Sequence, residues 1–162
     1  MIRFTVYGEA QPAGSKRAFS RPGMRFPVVV DANPKAKDWK LAVAGEAAKA
    51  MAGKSLLTGP VALQLVIYRP RPKGHFGTGK NAGKLKAGAP LRPDTKPDLT
   101  KLLRGTEDAL RGIVWRDDSQ VCRQVNEKLF GEPARVEIVV GAMDECLSLD
   151  DPPACSTAGM DR

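Results

Sequence analysis

Two hydrophobic periods alternate along this 162-residue chain, and together they restrict the folds that it can adopt. Residues 2–6, 61–67 and 136–140 carry apolar side chains at every second position, which is typical of strands with one buried face. Residues 34–53 and 98–112 instead repeat apolar side chains every three or four positions, as amphipathic helices do. The order of these segments predicts an α+β domain with a small mixed sheet and two main helices.

The N-terminal part holds the least regular stretch of this pattern. Residues 8–19 have turn composition and include Lys16 and Arg17, which predicts a basic loop. The short apolar run at residues 28–30 predicts a second strand that pairs with the first. In the helix that follows, Trp39 is expected to anchor the core rather than to stack on nucleic-acid bases.

Residues 96–121 gather four aspartates among basic residues: Asp98, Asp108, Asp117 and Asp118. Pro97 disfavours helix before it, so Asp98 is predicted to be the N-cap of the second helix, which Gly112 ends. Asp117 and Asp118 precede the next strand. Taken singly, such residues are more often caps and turn residues than metal ligands.

A helix and a turn of only about 19 residues connect Asp98 to Asp117 and Asp118, so we expect the three carboxylates to come together. Mg²⁺ takes oxygen ligands and is held by a few carboxylates together with substrate phosphate. Such an ion can polarise a phosphodiester and activate water, while Lys or Arg neutralises the developing charge. A metal-dependent nuclease is therefore one function that these residues predict.

The charge of the chain points to a polyanionic partner. It contains 26 Lys and Arg against 18 Asp and Glu, a net charge of +8. Residues 143–162 form an acidic segment of net charge −4, which is predicted to be a disordered tail, so residues 1–142 carry +12. This excess favours nucleic acid, although positive charge also serves general solubility.

Residues 69–96 lie inside the 1–142 domain and combine many Gly, Pro and basic residues without a hydrophobic period. They are predicted to be a flexible basic arm, either a plain disordered insertion or a segment that contacts phosphates. His75, the sole histidine, is expected to be an incidental loop residue. If the arm binds DNA, its contacts come from Arg69, Arg71, Lys73 and Lys96, together with Lys16 and Arg17 of the N-terminal loop.

The remaining composition favours a soluble, intracellular, DNA-associated protein, with a phage-encoded origin left open. Three cysteines without a CxxC spacing indicate neither a disulfide framework nor a zinc site. No apolar run approaches the roughly 18 residues that a membrane span requires.

The stretch "KPDLTKLLRGTEDALRGIVWRDDSQV" resembles the core motif of the RusA-type Holliday junction resolvases. That motif runs Pro-Asp-x-Asp-Asn/Lys-Leu-x-Lys/Arg, then Asp-Ala-Leu-x-Gly, then Asp-Asp-x-Gln-Val/Ile. The early "VYGEAQPAGSKRAF" is similar to the family's first strand and the basic loop after it, and Trp39 also fits. The resemblance implies a homodimeric α/β fold, dependence on Mg²⁺ with Mn²⁺ as a substitute, and symmetric nicking of four-way DNA junctions.

The resemblance also implies roles for individual residues. Asp98 would be the first carboxylate of the paired motif, and Asp118, with help from Asp117, would supply another. Arg104 stands where the family often has a catalytic lysine, and Lys101 occupies the adjacent Asn/Lys position. Together these five residues are the predicted catalytic set, and the three aspartates are the predicted metal ligands.

One position departs from the motif, because Thr100 replaces the second carboxylate. Thr adds no negative charge, so affinity for Mg²⁺ should fall unless Asp94 or Asp108 compensates. The sequence thus predicts a Mg²⁺-dependent endodeoxyribonuclease that resolves Holliday junctions. The alternatives are a junction-binding or DNA-binding protein with weak or no catalysis, and a basic RNA-binding protein.

Overall fold

The structure, a computed structural model, describes residues 1–31 and 33–143. The strands are β1 (Ile2–Tyr7), β2 (Lys16–Phe19), β3 (Val28–Asp31), β4 (Val61–Arg69), β5 (Val121–Phe130) and β6 (Arg135–Ala142). The helices are α1 (Lys35–Ala50) and α2 (Leu99–Glu107). Short 3₁₀ turns cover residues 73–75, 79–81 and 118–120.

Four of the strands form one sheet in the order β1-β6-β4-β5. Strand β4 is antiparallel to β6 and parallel to β5, with Val61 beside Val121 at one end and Arg69 beside Phe130 at the other. The sheet is therefore mixed, as predicted, and the chain is an α+β protein. Because parallel neighbours need a crossover connection, the chain between β4 and β5 has to return along the length of the sheet, and α2 lies in that return.

The core lies between the sheet and the two helices. Apolar side chains at alternate positions of β1, β4 and β6 pack in one cluster with those of α1 and α2. Trp39 is buried in this cluster and donates a hydrogen bond from Nε1 to Oγ1 of Thr106, 3.2 Å away. The buried Thr106 hydroxyl in turn donates to the Leu102 carbonyl. The prediction that Trp39 anchors the core is confirmed.

The pairing of the first short strands differs from the prediction. Strand β3 pairs with β2 in a separate two-stranded antiparallel sheet, whereas β1 pairs with β6. The expected basic loop at residues 8–19 therefore ends in a strand that carries Lys16 and Arg17. A short apolar run specifies strand conformation, but its partner depends on contacts that are distant in sequence.

Helix α2 begins as predicted and ends earlier. Asp98 is its N-cap residue, although the carboxylate makes no capping hydrogen bond. The last helical residue is Glu107, and Gly112, with a φ of 76°, lies in the turns that follow. The amphipathic pattern continues past Glu107 because the turn residues Ala109 and Leu110 are also buried.

Residues 69–96 pack more than their composition predicts. Besides two 3₁₀ turns, this segment contains isolated bridges from Phe76 to Leu85 and from Gly77 to Ala82. The Arg71 guanidinium lies 4.2 Å from the centre of the Phe130 ring at the end of β5. This contact joins the segment to the sheet, and the flexibility of the segment stays a prediction.

Two further predictions meet the limits of the described residues. The acidic tail lies outside them except for Met143. Within residues 1–31 and 33–143, no helix combines the length and the apolar character that a membrane crossing requires.

Candidate functional site

The crossover topology places Asp98 at the end of the sheet where strands β4 and β5 terminate. The Lys128 ammonium of β5 donates to the carbonyls of Thr95 and Pro97, at 2.9 and 3.2 Å. These bonds hold the segment before α2 against this end of the sheet. Ligands of α/β proteins commonly bind beyond the carboxyl ends of parallel strands, where loops and helix ends leave a crevice.

A cavity of about 610 Å³ opens at this end of the sheet. Its polar lining comes from the N-terminal loop, the end of β4 and the start of α2: Glu9, Gln11, Ser15, Asn33, Arg69, Lys96, Asp98 and Lys101. A smaller cavity of about 260 Å³ adjoins it and is lined by Ala13, Gly14, Asp98, Thr100, Lys101 and Arg104. Asp98 and Lys101 line both cavities, so they stand at the centre of the site.

The site is a recess in which Lys and Arg side chains outnumber the two carboxylates, those of Asp98 and Glu9. The Lys101 ammonium lies 3.7 Å from Oδ2 of Asp98, and the Asp98 side chain keeps 57% of its surface exposed. Arg69 and Lys96 line the larger cavity, and Arg104 lines the smaller one. An anionic ligand in the recess would therefore have several positive charges beside it as well as Asp98.

Close backbone contacts fix the loop that forms the other wall. The amide of Ala13 donates to the Lys101 carbonyl at 2.9 Å, and a side chain at Gly105 would stand 2.6 Å from the carbonyl oxygen of Gln11. The Asn33 amide group donates to Oε1 of Gln11 and to the Pro12 carbonyl. The loop thus lies directly on α2, which sets the width of the recess.

Asp117 and Asp118 lie at the opposite end of the sheet, just before β5 begins. Asp117 caps a 3₁₀ turn through a hydrogen bond accepted from the Ser119 amide at 3.0 Å, and Gln120 completes a capping box. The Gln120 side chain also donates to the carbonyls of Leu57 and Gly59, just before β4 begins. Oδ1 of Asp118 accepts a 2.9 Å hydrogen bond from Nε1 of the buried Trp115.

Hydrogen bonds and burial at this end of the sheet shift the pKa values of two carboxyl groups in opposite directions. The hydrogen bonds with Ser119 hold the pKa of Asp117 below its usual value. Burial, supported by repulsion from Asp118 and Asp108, raises the pKa of Glu107, although a hydrogen bond from Gln124 at 2.7 Å opposes the shift. Asp118 therefore neighbours the last residue of α2, whereas Asp98 precedes the first.

Comparison with known proteins identifies the family. The model of the family "Endodeoxyribonuclease RusA" matches residues 9–141. The chain belongs to the RusA family. The resemblance carried by residues 96–121 is confirmed, and the match extends from the N-terminal loop to β6. A similar protein is "Uncharacterized protein YqaN" of Bacillus subtilis (strain 168), which is 37% identical over 142 residues, 86% of this chain and 94% of that protein.

The structure does not bring together the three aspartates of the RusA motif that were predicted to hold a metal ion. Among residues 1–31 and 33–143, no three His, Cys, Asp or Glu side chains are placed to share an ion. Asp98 lies where β4 ends, and Asp117 and Asp118 lie where β5 starts. Helix α2, which is nine residues and about 13 Å long, runs between these two ends of the sheet. The residues as placed do not form the ligand set that the family resemblance implies.

Neither acid that was considered as a replacement at the Thr100 position joins Asp98. Asp108 pairs with Lys40 of α1 at 2.7 Å, on the side of α2 that faces α1. Asp94 is exposed and does not line the cavities at Asp98. Thr100 itself is exposed in the smaller cavity, so the position that lacks a carboxylate does face the recess.

The predicted DNA-contacting residues fall into two groups. Arg69 and Lys96 line the recess, Lys16 and Arg17 are exposed on β2, and Lys73 is exposed in the 3₁₀ turn at residues 73–75. Arg71, in contrast, is engaged by Phe130 and by the Pro90 carbonyl, to which it donates at 2.7 Å. Arg71 therefore holds the arm against the sheet.

Several residues of the recess were missed from the sequence. Glu9 and Gln11 enter it because the N-terminal loop docks on α2, and Asn33 enters it because its amide group binds that loop; nothing in their local spacing indicates these contacts. Glu107 was also not predicted to be a functional residue. The Gln at position 124 gave no indication that it bonds Glu107, because the pair joins two elements across the sheet.

Proposed function

We propose that this protein is a structure-specific endodeoxyribonuclease that resolves four-way DNA junctions by hydrolysing phosphodiester bonds. The observation that carries the proposal is Asp98 in a recess lined by Arg69, Lys96, Lys101 and Arg104, in a chain that belongs to the RusA family. A DNA phosphate is the anion that fits both the charge of the recess and the family.

In this reaction Asp98 and the basic groups in and near the recess have separate tasks. Lys101 and Arg104 neutralise the charge that develops on the phosphate and on the leaving oxygen, as preorganised cations do at transferring phosphoryl groups. Asp98 is the acidic group of the reaction centre. Arg69, Lys96, Lys16 and Arg17 hold the backbone of the DNA arms on either side.

Dependence on Mg²⁺, with Mn²⁺ as a substitute, stays a prediction. A divalent ion would supply charge stabilisation and an activated water. The recess holds the carboxylates of Asp98 and Glu9 but neither Asp117 nor Asp118, so the ligand set that the resemblance implies is incomplete and no step of the reaction is assigned to the ion. Asp117 and Asp118 remain candidate catalytic residues by their motif position alone.

We also propose that the protein acts as a homodimer. A four-way junction has paired, symmetry-related strands, and two equivalent recesses related by a two-fold axis can address them together. Sedimentation of the purified protein at micromolar concentration should give twice the mass of one chain; a monomer that still makes paired nicks would contradict this proposal.

A second candidate function is junction binding without cleavage. Thr100 in place of a carboxylate, together with the separation of Asp98 from Asp118, favours it. Both functions predict binding to branched DNA, so only the chemistry distinguishes them.

The test is cleavage of a labelled four-way junction by the purified protein, in Mg²⁺, in Mn²⁺ and in chelator. We expect paired nicks with metal, at least about a hundredfold slower in Asp98→Asn, with junction binding retained or strengthened because repulsion of phosphate falls. Asp38→Asn, an equal charge change at an exposed site on α1, is the control and should cut normally.

Three other results would redirect the proposal. Binding without nicks in either metal would leave the binding protein as the function. Equal cleavage by Asp98→Asn and wild type would remove Asp98 from the reaction. Tighter binding to structured RNA than to the junction would support the RNA-binding alternative.

A further inference from the structure

Strands β2 and β3 form a ribbon whose pairing is confined to themselves among the described strands. Every residue from 14 to 30 is exposed, on both faces of the ribbon. A two-stranded hairpin is only marginally stable by itself in water. A ribbon of this kind, with apolar residues on its surface, is expected to bind a partner molecule.

The charge of the ribbon selects the class of that partner. Residues 16–31 contain four basic residues, Lys16, Arg17, Arg21 and Arg25, and one acidic residue, Asp31, which is paired with Lys16 in the strand register at the root of the ribbon. This excess of positive charge disfavours another cationic surface as the partner. A polyanion is attracted to it, and each phosphate that it neutralises releases a counterion.

The tip of the ribbon adds aromatic rings to this charge. Phe26 keeps 71% of its surface exposed, and Phe19 and Met24 are also exposed. The guanidinium of Arg25 lies 5.5 Å from the centre of the Phe26 ring, and that of Arg21 lies 5.8 Å from the centre of the Phe19 ring. Exposed aromatic rings beside arginines are the combination on which unpaired bases stack.

The root of the ribbon lies at the recess. Ser15 lines the larger cavity with Asp98, and the backbone of Ala13 is bonded to α2. From residue 14 to residue 19 an extended chain covers about 17 Å, so the tip projects well beyond the recess. DNA whose phosphate lies at Asp98 would therefore have its neighbouring bases within reach of the tip.

We propose that the β2–β3 ribbon reads the branch point, with Phe26, assisted by Phe19, stacking on bases at the centre of a junction. The inference rests on the proposed function, which supplies the branched DNA. When the arms of a junction are not stacked on one another, the base pairs at the branch point lack one stacking neighbour, so an aromatic ring can stack there without first separating an intact base step. In a continuous duplex the same ring would have to unstack bases, which costs a few kcal/mol per step. The ribbon thus favours junctions over duplexes.

The test compares the affinities of wild type and Phe26→Ala for a four-way junction and for a duplex with the same arm sequences. We expect Phe26→Ala to weaken junction binding about ten- to hundredfold and duplex binding less than twofold. Phe26→Trp should retain the preference. Leu41→Ala, at an exposed site on α1, is the control for loss of surface apolar area.

A spectroscopic measurement reports the stacking itself. With 2-aminopurine at the branch point, wild type should change the fluorescence through a new stacked contact, and Phe26→Ala at saturating concentration should change it much less. Because Phe26 is exposed, the variant should have wild-type stability in urea.

The outcomes separate this inference from the proposed function. If wild type prefers and cuts junctions while Phe26→Ala behaves like wild type, only the role of the ribbon is overturned. If Phe26→Ala weakens junction and duplex binding equally, the ribbon holds the backbone and does not read the branch. If the variant instead loses a dimer that wild type forms, a second copy covers the ribbon and the inference fails. A wild type without preference for junctions overturns both.

Discussion

Asp98 lies just before α2 and Asp118 lies just before β5, yet their side chains have different surroundings. Asp98 makes no capping hydrogen bond and faces a cationic recess, with Lys101 as its ion partner. Asp118 accepts a hydrogen bond from the indole of Trp115, which is part of the core. The first carboxylate is free to meet a ligand, whereas one oxygen of the second already has a structural partner.

Thr100 allows a direct test of what the recess lacks. Thr100→Asp places a second carboxylate in the smaller cavity beside Asp98, so we expect affinity for Mn²⁺ and the metal-stimulated cleavage rate to rise about tenfold. Calorimetric titration with Mn²⁺ and single-turnover cleavage measure the two effects. Thr95→Asp adds the same charge outside both cavities and should change neither. An unchanged Thr100→Asp would show that position 100 does not limit metal binding.

Glu107 predicts a pH dependence of stability. Burial raises its pKa in the folded protein, so its stabilising contribution is complete below the ordinary value of 4.5 and is lost as the pH rises through the folded-state pKa. Glu107→Gln removes this ionisation and can still accept the bond from Gln124. We expect the variant to be more stable than wild type at pH 7 and the difference to shrink towards pH 4.

Urea unfolding across this pH range measures the effect. Glu46→Gln, which alters an exposed pair with Lys49 on α1, should show no such trend. A Glu107→Gln variant that is less stable than wild type at pH 7 would mean that the ionised carboxylate is stabilised by its hydrogen bond more than it is penalised by burial.

At the scale of the elements, local patterns predicted most of the structure. The alternation at 61–67 and 136–140 and the helical period after residue 98 correspond to β4, β6 and α2. These succeed because burial of one face imposes the period of the element directly on the sequence. Partners were less predictable: the valines of β3 fit any neighbouring strand equally well, and only the fold assigns them to β2.

Two glycines in the helices test how closely the N-terminal loop docks on α2. Gly105→Ala would place a methyl group 2.6 Å from the Gln11 carbonyl oxygen, so we expect a loss of about 1–3 kcal/mol in unfolding free energy and a widened recess. Gly45→Ala on α1 meets no atom within 4 Å and should stabilise the protein by about 0.5–1 kcal/mol.

Urea unfolding of both variants gives the comparison, and junction binding reports the recess. If Gly105→Ala were as stable as Gly45→Ala, the loop would not rest on α2 as described.

At the scale of the whole molecule, the parallel pairing of β4 and β5 explains why Asp98 and Asp118 lie apart within one chain. A separation of about 19 residues can return a chain to its starting point through a hairpin, and the sequence alone allows that arrangement. A crossover between parallel strands instead carries the chain from the carboxyl-terminal ends of the strands back to their amino-terminal ends. The spacing of Asp98 and Asp118 does not encode this choice, because it depends on which strand β5 pairs with.

The net charge of the molecule predicts how DNA binding responds to salt. The logarithm of the junction association constant should fall linearly with the logarithm of salt concentration, with a slope of about −0.9 for each phosphate contact. Arg17→Ala in β2 should make that slope less steep by about one unit, whereas Lys37→Ala on α1 should leave it unchanged. Fluorescence anisotropy titrations at several salt concentrations measure both. A salt-independent affinity would exclude backbone contacts as the main attraction.

The ribbon is attached to the domain at its root, and none of its side chains from residue 14 to residue 30 belongs to the core. Its length is therefore separable from the folding of the domain. Residues can be added or removed at the turn near Gly23, or a dye attached there, with little effect on thermal stability. Related chains are accordingly able to adjust how far this projection extends without rebuilding the sheet that carries it.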